Sequence, residues 1–124
     1  MDFKELIAYK KAFKLAMEIF ELSKSFPKEE KYSLTDQIRR SSRSTCANLA
    51  EAYRKRIYPK HFISKLTDSD GENSETDVWL DFALECKYIT EETHKPLHIN
   101  CIEIGKLINY MINNPDKFGS IKLS

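Results

Sequence analysis

Apolar positions recur at intervals of three and four along most of the chain, in four segments separated by short breaks. The first spans about Phe3 to Ser25. At 100° per residue, Leu6, Tyr9, Ala12, Phe13, Ala16, Ile19 and Phe20 share one side, with Lys10, Lys11, Lys14, Glu18 and Glu21 opposite. Pro27 ends it. The second segment spans about Leu34 to Arg56. Its stripe is Leu34, Ile38, Ser42, Thr45, Leu49, Ala52 and Tyr53, with Cys46 at the edge. The side chains there are small, so a neighbouring helix can approach closely.

Pro59 suits the first turn of a third helix, expected to run to Ile89. Gly71 costs about 1 kcal/mol against Ala inside a helix. The run "LTDSDGENSETDVWLDFA" could therefore be a loop between two helices. An in-phase stripe of His61, Lys65, Asp68, Glu72, Glu75, Trp79, Phe82 and Cys86 favours one continuous helix instead. Thr90 is a cap for the fourth segment, within which Pro96 either delays the start or kinks the helix. Leu97, Cys101, Ile104, Leu107, Ile108, Met111 and Ile112 make its core face, and Asn114 and Pro115 stop it. The expected fold is all-α: an up-down-up-down antiparallel four-helix bundle over residues 1–118, onto which Phe118 could dock, with a flexible tail over 119–124.

Composition agrees. With 124 residues, 3 Gly and 4 Pro, the chain suits one domain of few, long elements. No stretch approaches about 18 apolar residues, and no leader pattern is present, so the expectation is a cytoplasmic protein without a membrane role. Cys46, Cys86 and Cys101 are widely spaced and read as reduced core thiols.

Charge changes the picture more. The net charge is +1, but residues 1–62 carry 14 Lys/Arg against 8 Asp/Glu, and residues 63–124 carry 6 against 11, so the halves are +6 and −5. Arg39, Arg40, Arg43 and Arg54 lie on an arc of about 100° opposite the second helix's core stripe, with Lys55 and Arg56 near its C-terminal end, where cations suit the dipole. This face is either solvated or a phosphate-contacting surface. No aromatic is interleaved with these arginines, so base stacking on single strands is not expected. Between Asp68 and Glu85 stand seven acids and no base. Asp68, Glu72 and Glu75 are in line with Trp79 and need partners. The donors are the arginines and Asn48, in the same subunit or a neighbouring one.

Signatures of catalysis are missing: there is no HExxH, GxSxG or phosphate loop. A di-iron bundle needs two Glu-x-x-His motifs, and only Glu91–His94 supplies one. His94 and His98 stand at i, i+4, a metal-compatible spacing, but their place at a helix start reads as solvent-facing. The expectation is a non-enzyme with no cofactor, no metal and no catalytic residues.

Phe26-Pro27 with Glu30, Leu34 and Gln37, then Arg39-Arg40, Ser44, Asn48 and Ala50-Glu51, then Lys65-Leu66, Glu72, Glu75-Thr76, Trp79-Leu80 and Tyr88-Ile89 form an ordered series. In that order and spacing the chain resembles the bacterial four-helix bundle family, also called the 23S rRNA intervening-sequence protein family. A similar protein is the accessory variability determinant of diversity-generating retroelements, a barrel-like homopentamer that engages nucleic acid and a reverse transcriptase. The resemblance implies a ring-like homo-oligomer, a pentamer foremost. It also implies binding of RNA or DNA through Arg39, Arg40, Arg43, Arg54, Lys55 and Arg56, and a nucleic-acid enzyme such as a reverse transcriptase as a further partner. Asn48, Glu51, Glu72, Glu75 and Trp79 are then candidates for a subunit contact or a structural polar network. The alternative is a scaffold whose basic arc serves only subunit contacts with the acidic third helix. Where the family commonly has Gly after its Ala-Glu pair, this chain has Ala52, which favours an uninterrupted helix.

Overall fold

The computed structural model of the protein describes residues 2–122. The four periodic segments become α1 (Ile7–Ser23), α2 (Leu34–Arg54), α3 (Pro59–Glu85) and α4 (Glu91–Asn113), with short 3-10 turns at Phe3–Glu5, Lys28–Glu30 and Pro115–Phe118. No strand occurs among the described residues. α1 packs on α2 and α4, α2 on α3, and α3 on α4, so the helices close a bundle around one core.

Local chemistry sets most of the ends. Pro59 occupies the first turn of α3. The Thr90 hydroxyl accepts a hydrogen bond from the Thr93 N–H and caps α4, and Pro96 lies inside that helix. α3 runs unbroken through Gly71, where an added Cβ would meet nothing within 4 Å. It stops at Glu85 rather than Ile89 because Lys87 turns left-handed, at φ 64°. The Lys87 N–H then donates to Leu84 O and the Tyr88 N–H to Ala83 O, both at 2.9 Å, closing the helix with the paired bonds of a Schellman motif.

Two faces are rotated from the sequence expectation. In α1 the buried residues are Ala8, Ala12, Leu15, Ala16, Ile19 and Ser23, while Phe13 is 51% exposed. Small residues let the core approach the α1 backbone, and the large aromatics fall to the flank. In α3 the buried set is Phe62, Leu66, Ser69, Asn73, Thr76, Leu80 and Ala83, one residue on from each of the first seven positions of the predicted stripe. One residue is 100° of rotation, so Asp68, Phe82 and Cys86 face outward, while Glu72, Glu75 and Trp79 are half-buried along the flank. Cys86 is thus an exposed thiol. Cys46 and Cys101 are core residues, and burial pushes their thiols up to about 11 and about 12.

Small polar residues explain how α3 buries a mixed face. The Ser69 hydroxyl donates to Thr45 O at 2.7 Å, the Thr76 hydroxyl to Ser41 Oγ at 2.8 Å, and Asn73 Nδ2 to Cys101 O at 2.8 Å. Each buried polar atom here is satisfied by a facing helix, as burial requires. The α2–α3 seam is consequently close, as the small stripe of α2 predicts.

The connection from α1 to α2 is tied to the end of α3 by Glu30. Its carboxylate accepts from the Ser33 hydroxyl, from Tyr88 Oη at 2.7 Å and from the Leu34 N–H at 3.3 Å. The Ser33 bond, then the Tyr88 bond, holds the Glu30 carboxyl below the ordinary glutamate range. A depressed folded-state pKa contributes stability above the unfolded value, about 4.3, and that contribution is lost as pH falls through the folded value. Chemical denaturation of Glu30→Gln is therefore expected to show a deficit against wild type near pH 7 that narrows progressively below about pH 4.3.

Candidate nucleic-acid interface

The six cations predicted on the second helix do not form one surface. Arg39, Arg40 and Arg43 lie in the N-terminal half of α2. Arg43 and Arg54 are separated by about 16 Å along the axis at 1.5 Å per residue. At the C-terminal end, Lys55 Nζ pairs with Glu51 at 3.2 Å, and Lys65 from α3 reaches the same carboxylate at 3.2 Å. Those lysines hold Glu51 below the usual carboxylate range. The Arg56 guanidinium lies over the Tyr53 ring at 4.1 Å and donates to Tyr53 O at 2.8 Å. A Cβ added to Gly119 would meet Arg56 Nε at 3.1 Å, so the left-handed turn after Phe118 packs against this side chain. Lys55 is thus paired with Glu51 and Arg56 is seated on Tyr53, while exposed Arg54 lines a cleft together with Lys4, Arg56 and Ile57.

The N-terminal half is different. Lys31, Tyr32, Arg39, Arg40 and Arg43 line one concavity of about 580 Å³, with Asp36 as the acid in its wall. The Arg39 guanidinium lies 4.9 Å from the Phe20 ring centre, and Arg39 Nε donates to Ser23 Oγ at 2.7 Å. Arg43 lies over the same ring at 5.6 Å. Two guanidinium groups therefore lie beside one aromatic of α1, as does Lys24 Nζ at 4.7 Å, a cation–π setting that places them without neutralising them. Tyr32, immediately before α2, is 85% exposed, and Lys31 Nζ stands 5.3 Å from its ring centre. No aromatic stands between Arg39 and Arg43 along α2; the rings beside them come from Phe20 of α1 and Tyr32 of the connecting turn.

Among the described residues the carboxylate ion pairs are made by lysines and histidines, and none by an arginine. Of the donors expected for the acids of α3, Arg40 lies near Glu72, while Asn48 is turned to its own helix. Asn48 donates to Ser44 O of its own helix at 2.9 Å. Glu72 is raised chiefly by burial and next by Glu75, with Arg40 opposing the shift. Glu72, Glu75 and Trp79 are half-buried on the flank of α3 facing the α2 seam, and Trp79 Nε1 has no hydrogen-bond partner.

Of the two histidines expected to face solvent, His98 keeps a 40% exposed side chain while His94 is largely covered, and both meet carboxylates of α3. His94 Nε2 shares a hydrogen bond with Asp81 Oδ1, and His98 Nδ1 with Asp77 Oδ1, each at 2.8 Å. The rotation of α3 brings Asp77 and Asp81, themselves i, i+4, opposite the histidine pair of α4, so the four side chains join two helices. No group of three or more metal-capable side chains gathers among the described residues. No helix among them is long and apolar enough to cross a membrane.

A model of the 23S rRNA-intervening sequence protein family matches residues 4–110, a span that takes in all of α1 to α3 and most of α4. The chain belongs to this family. A solved structure from Bacteroides thetaiotaomicron, described as a protein with unknown function from the S23 ribosomal protein family, is similar at a TM-score of 0.78 and 31% identity. The match covers 86% of this chain and 96% of that one. No curated protein matches the chain. Family membership agrees with the ordered motif series. Of that series, Glu30, Leu34 and Tyr88 now have a visible structural reason in the α1–α2–α3 junction, and Arg39 has one in its seat on Phe20 and Ser23.

Proposed function

We propose that this member of the family is a non-enzymatic, nucleic-acid-binding bundle whose contact surface is the basic concavity on the N-terminal half of α2. The observation that carries this reading is the state of Arg39, Arg40 and Arg43. They are gathered on one surface, two are pre-oriented on Phe20, and none forms an ion pair with a carboxylate. Guanidinium groups left in this condition suit phosphate, which accepts from their donor fork. Arg54 extends the surface toward the far end of α2, whereas Lys55 and Arg56 serve the fold. A cytoplasmic protein of RNA or DNA contact, acting beside a nucleic-acid enzyme, fits this surface.

The same reading includes the up-down-up-down order of the helices, favoured by their sequential packing and short connections, and assembly into a homo-oligomeric ring, a pentamer foremost. Half-buried Trp79 with exposed Val78 and Phe82 supports a contact on α3. The scaffold alternative has its own support in the acids of α3, where Glu72 is already raised and would gain from a neighbour's cation. In that case the arginine arc of one copy would be covered by the next. Anisotropy of a labelled oligonucleotide with the wild-type protein tests the first reading. Affinity is expected to fall at least tenfold between about 50 and 200 mM salt; no binding at low salt contradicts it.

A further inference from the structure

The basic concavity holds more than phosphate binding requires. A surface that reads only a duplex backbone needs cations at phosphate spacing, and aromatic rings add nothing to it. Here the cations are built around rings. Arg39 is held twice, by the Phe20 ring 4.9 Å from its guanidinium carbon and by Ser23 on its Nε. Arg43 shares the ring. Tyr32 stands at the rim of the same concavity, 85% exposed, with Lys31 beside it. No hydrogen bond from the Tyr32 hydroxyl occurs among the described residues, whereas Tyr88 bonds Glu30 and Tyr110 bonds Lys117. Its ring also borders a second groove, with Trp79 and Phe82.

We propose that the concavity takes unpaired nucleotides of a single strand, with bases stacking on the Tyr32 ring and on the Arg39 and Arg43 guanidinium planes while Lys31 and the arginine N–H groups hold the flanking phosphates. This rests on the nucleic-acid reading above and narrows its ligand. The chemistry favours the single strand for a definite reason. Bases within a duplex are already stacked and paired, and their faces are closed to a side chain. An unpaired base offers both faces, and aromatic rings and guanidinium planes are the two platforms proteins use for it. Stacking reads no particular sequence, since every base has a π-face, so the preference is for unpaired structure rather than for a motif.

The test uses the full chain and three labelled probes of equal length at one salt concentration: oligo-U, oligo-dT and a blunt duplex. Either single strand is expected to bind about tenfold more tightly than the duplex. Tyr32→Leu, at an exposed position, is expected to weaken single-strand binding about five- to tenfold and leave duplex binding unchanged. Equal or tighter duplex binding overturns the single-strand assignment and leaves the nucleic-acid reading standing. So does a Tyr32→Leu protein whose affinities all match wild type. Failure to bind any of the three probes overturns the nucleic-acid reading, and the narrower inference falls with it.

Discussion

Replacing Arg39, Arg40 and Arg43 together by alanine is expected to lower affinity for a labelled oligonucleotide about 100-fold at 0.15 M salt. The magnitude follows from counterion release. Each phosphate contact releases most of one condensed counterion, worth roughly 1 kcal/mol at that ionic strength, and three such contacts make about two orders of magnitude. The slope of log affinity against log salt should also become shallower, by about two to three. That second readout separates a lost phosphate contact from a general loss of fold. Arg40 and Arg43 are exposed, and Arg39 is half-buried only through its seat on Phe20, so melting temperature should change little. Lys55→Ala/Arg56→Ala is the complementary case. Because those side chains already hold Glu51 and Tyr53, the pair should cost some stability and little affinity.

The second large effect is expected in the α2–α3 seam. Ser69 is fully buried, and its hydroxyl meets the Thr45 carbonyl of α2 at 2.7 Å. Hydrophobicity alone says that leucine there should stabilise the protein. Close packing says the opposite, because three further carbons must displace a facing backbone. Ser69→Leu is expected to destabilise by about 1–3 kcal/mol, a fall of roughly 5–15 °C in Tm for a chain of this length. Ser69→Ala should cost at most about 1 kcal/mol, the worth of the hydrogen bond. Thermal denaturation of the two variants distinguishes sterics from polarity. A leucine variant as stable as wild type would mean that the helices have room between them.

This seam also marks where the sequence could be read and where it could not. α2 was legible because its small residues are confined to one stripe and its arginines to another. α4 was legible because its core face is wholly aliphatic apart from Cys101. Pro59, Thr90 and Asn114-Pro115 placed helix ends by their local chemistry. α3 was legible in extent across Gly71 but not in phase. Its buried face carries Ser69, Asn73 and Thr76 among the apolar residues, and the adjacent stripe carries Trp79 and Phe82, so the two faces are nearly equal in hydrophobic content. What decides between them is the fit to α2, a tertiary property. In α1 the large Phe13 suggested a core position, but Ala8, Ala12 and Ala16 permit the closer helix contact that leaves it outside.

The candidate surface follows the same division. Its arginines were visible as a helical arc. The partition into an open cluster and an engaged pair was not, because Glu51, Lys65, Tyr53 and Gly119 come together only in the fold. Nor were the rings beside the open cluster visible. Phe20 precedes Arg39 by a whole inter-helix connection, and Tyr32 sits in the turn that carries no periodic signal. The histidine–aspartate contacts of α3 and α4 were hidden for the same reason. Asp77 and Asp81 face His98 and His94 only once α3 is rotated into its observed phase.

The central claim is that the Arg39–Arg43 cluster is an open surface that meets phosphate, rather than one closed against a neighbouring copy. Light scattering on Arg39→Glu/Arg43→Glu, run beside wild type with oligonucleotide binding measured on the same samples, tests it most directly. Charge reversal at an open surface should leave the assembly mass unchanged and abolish binding. A smaller assembly, or an unchanged affinity for the oligonucleotide, would contradict the account.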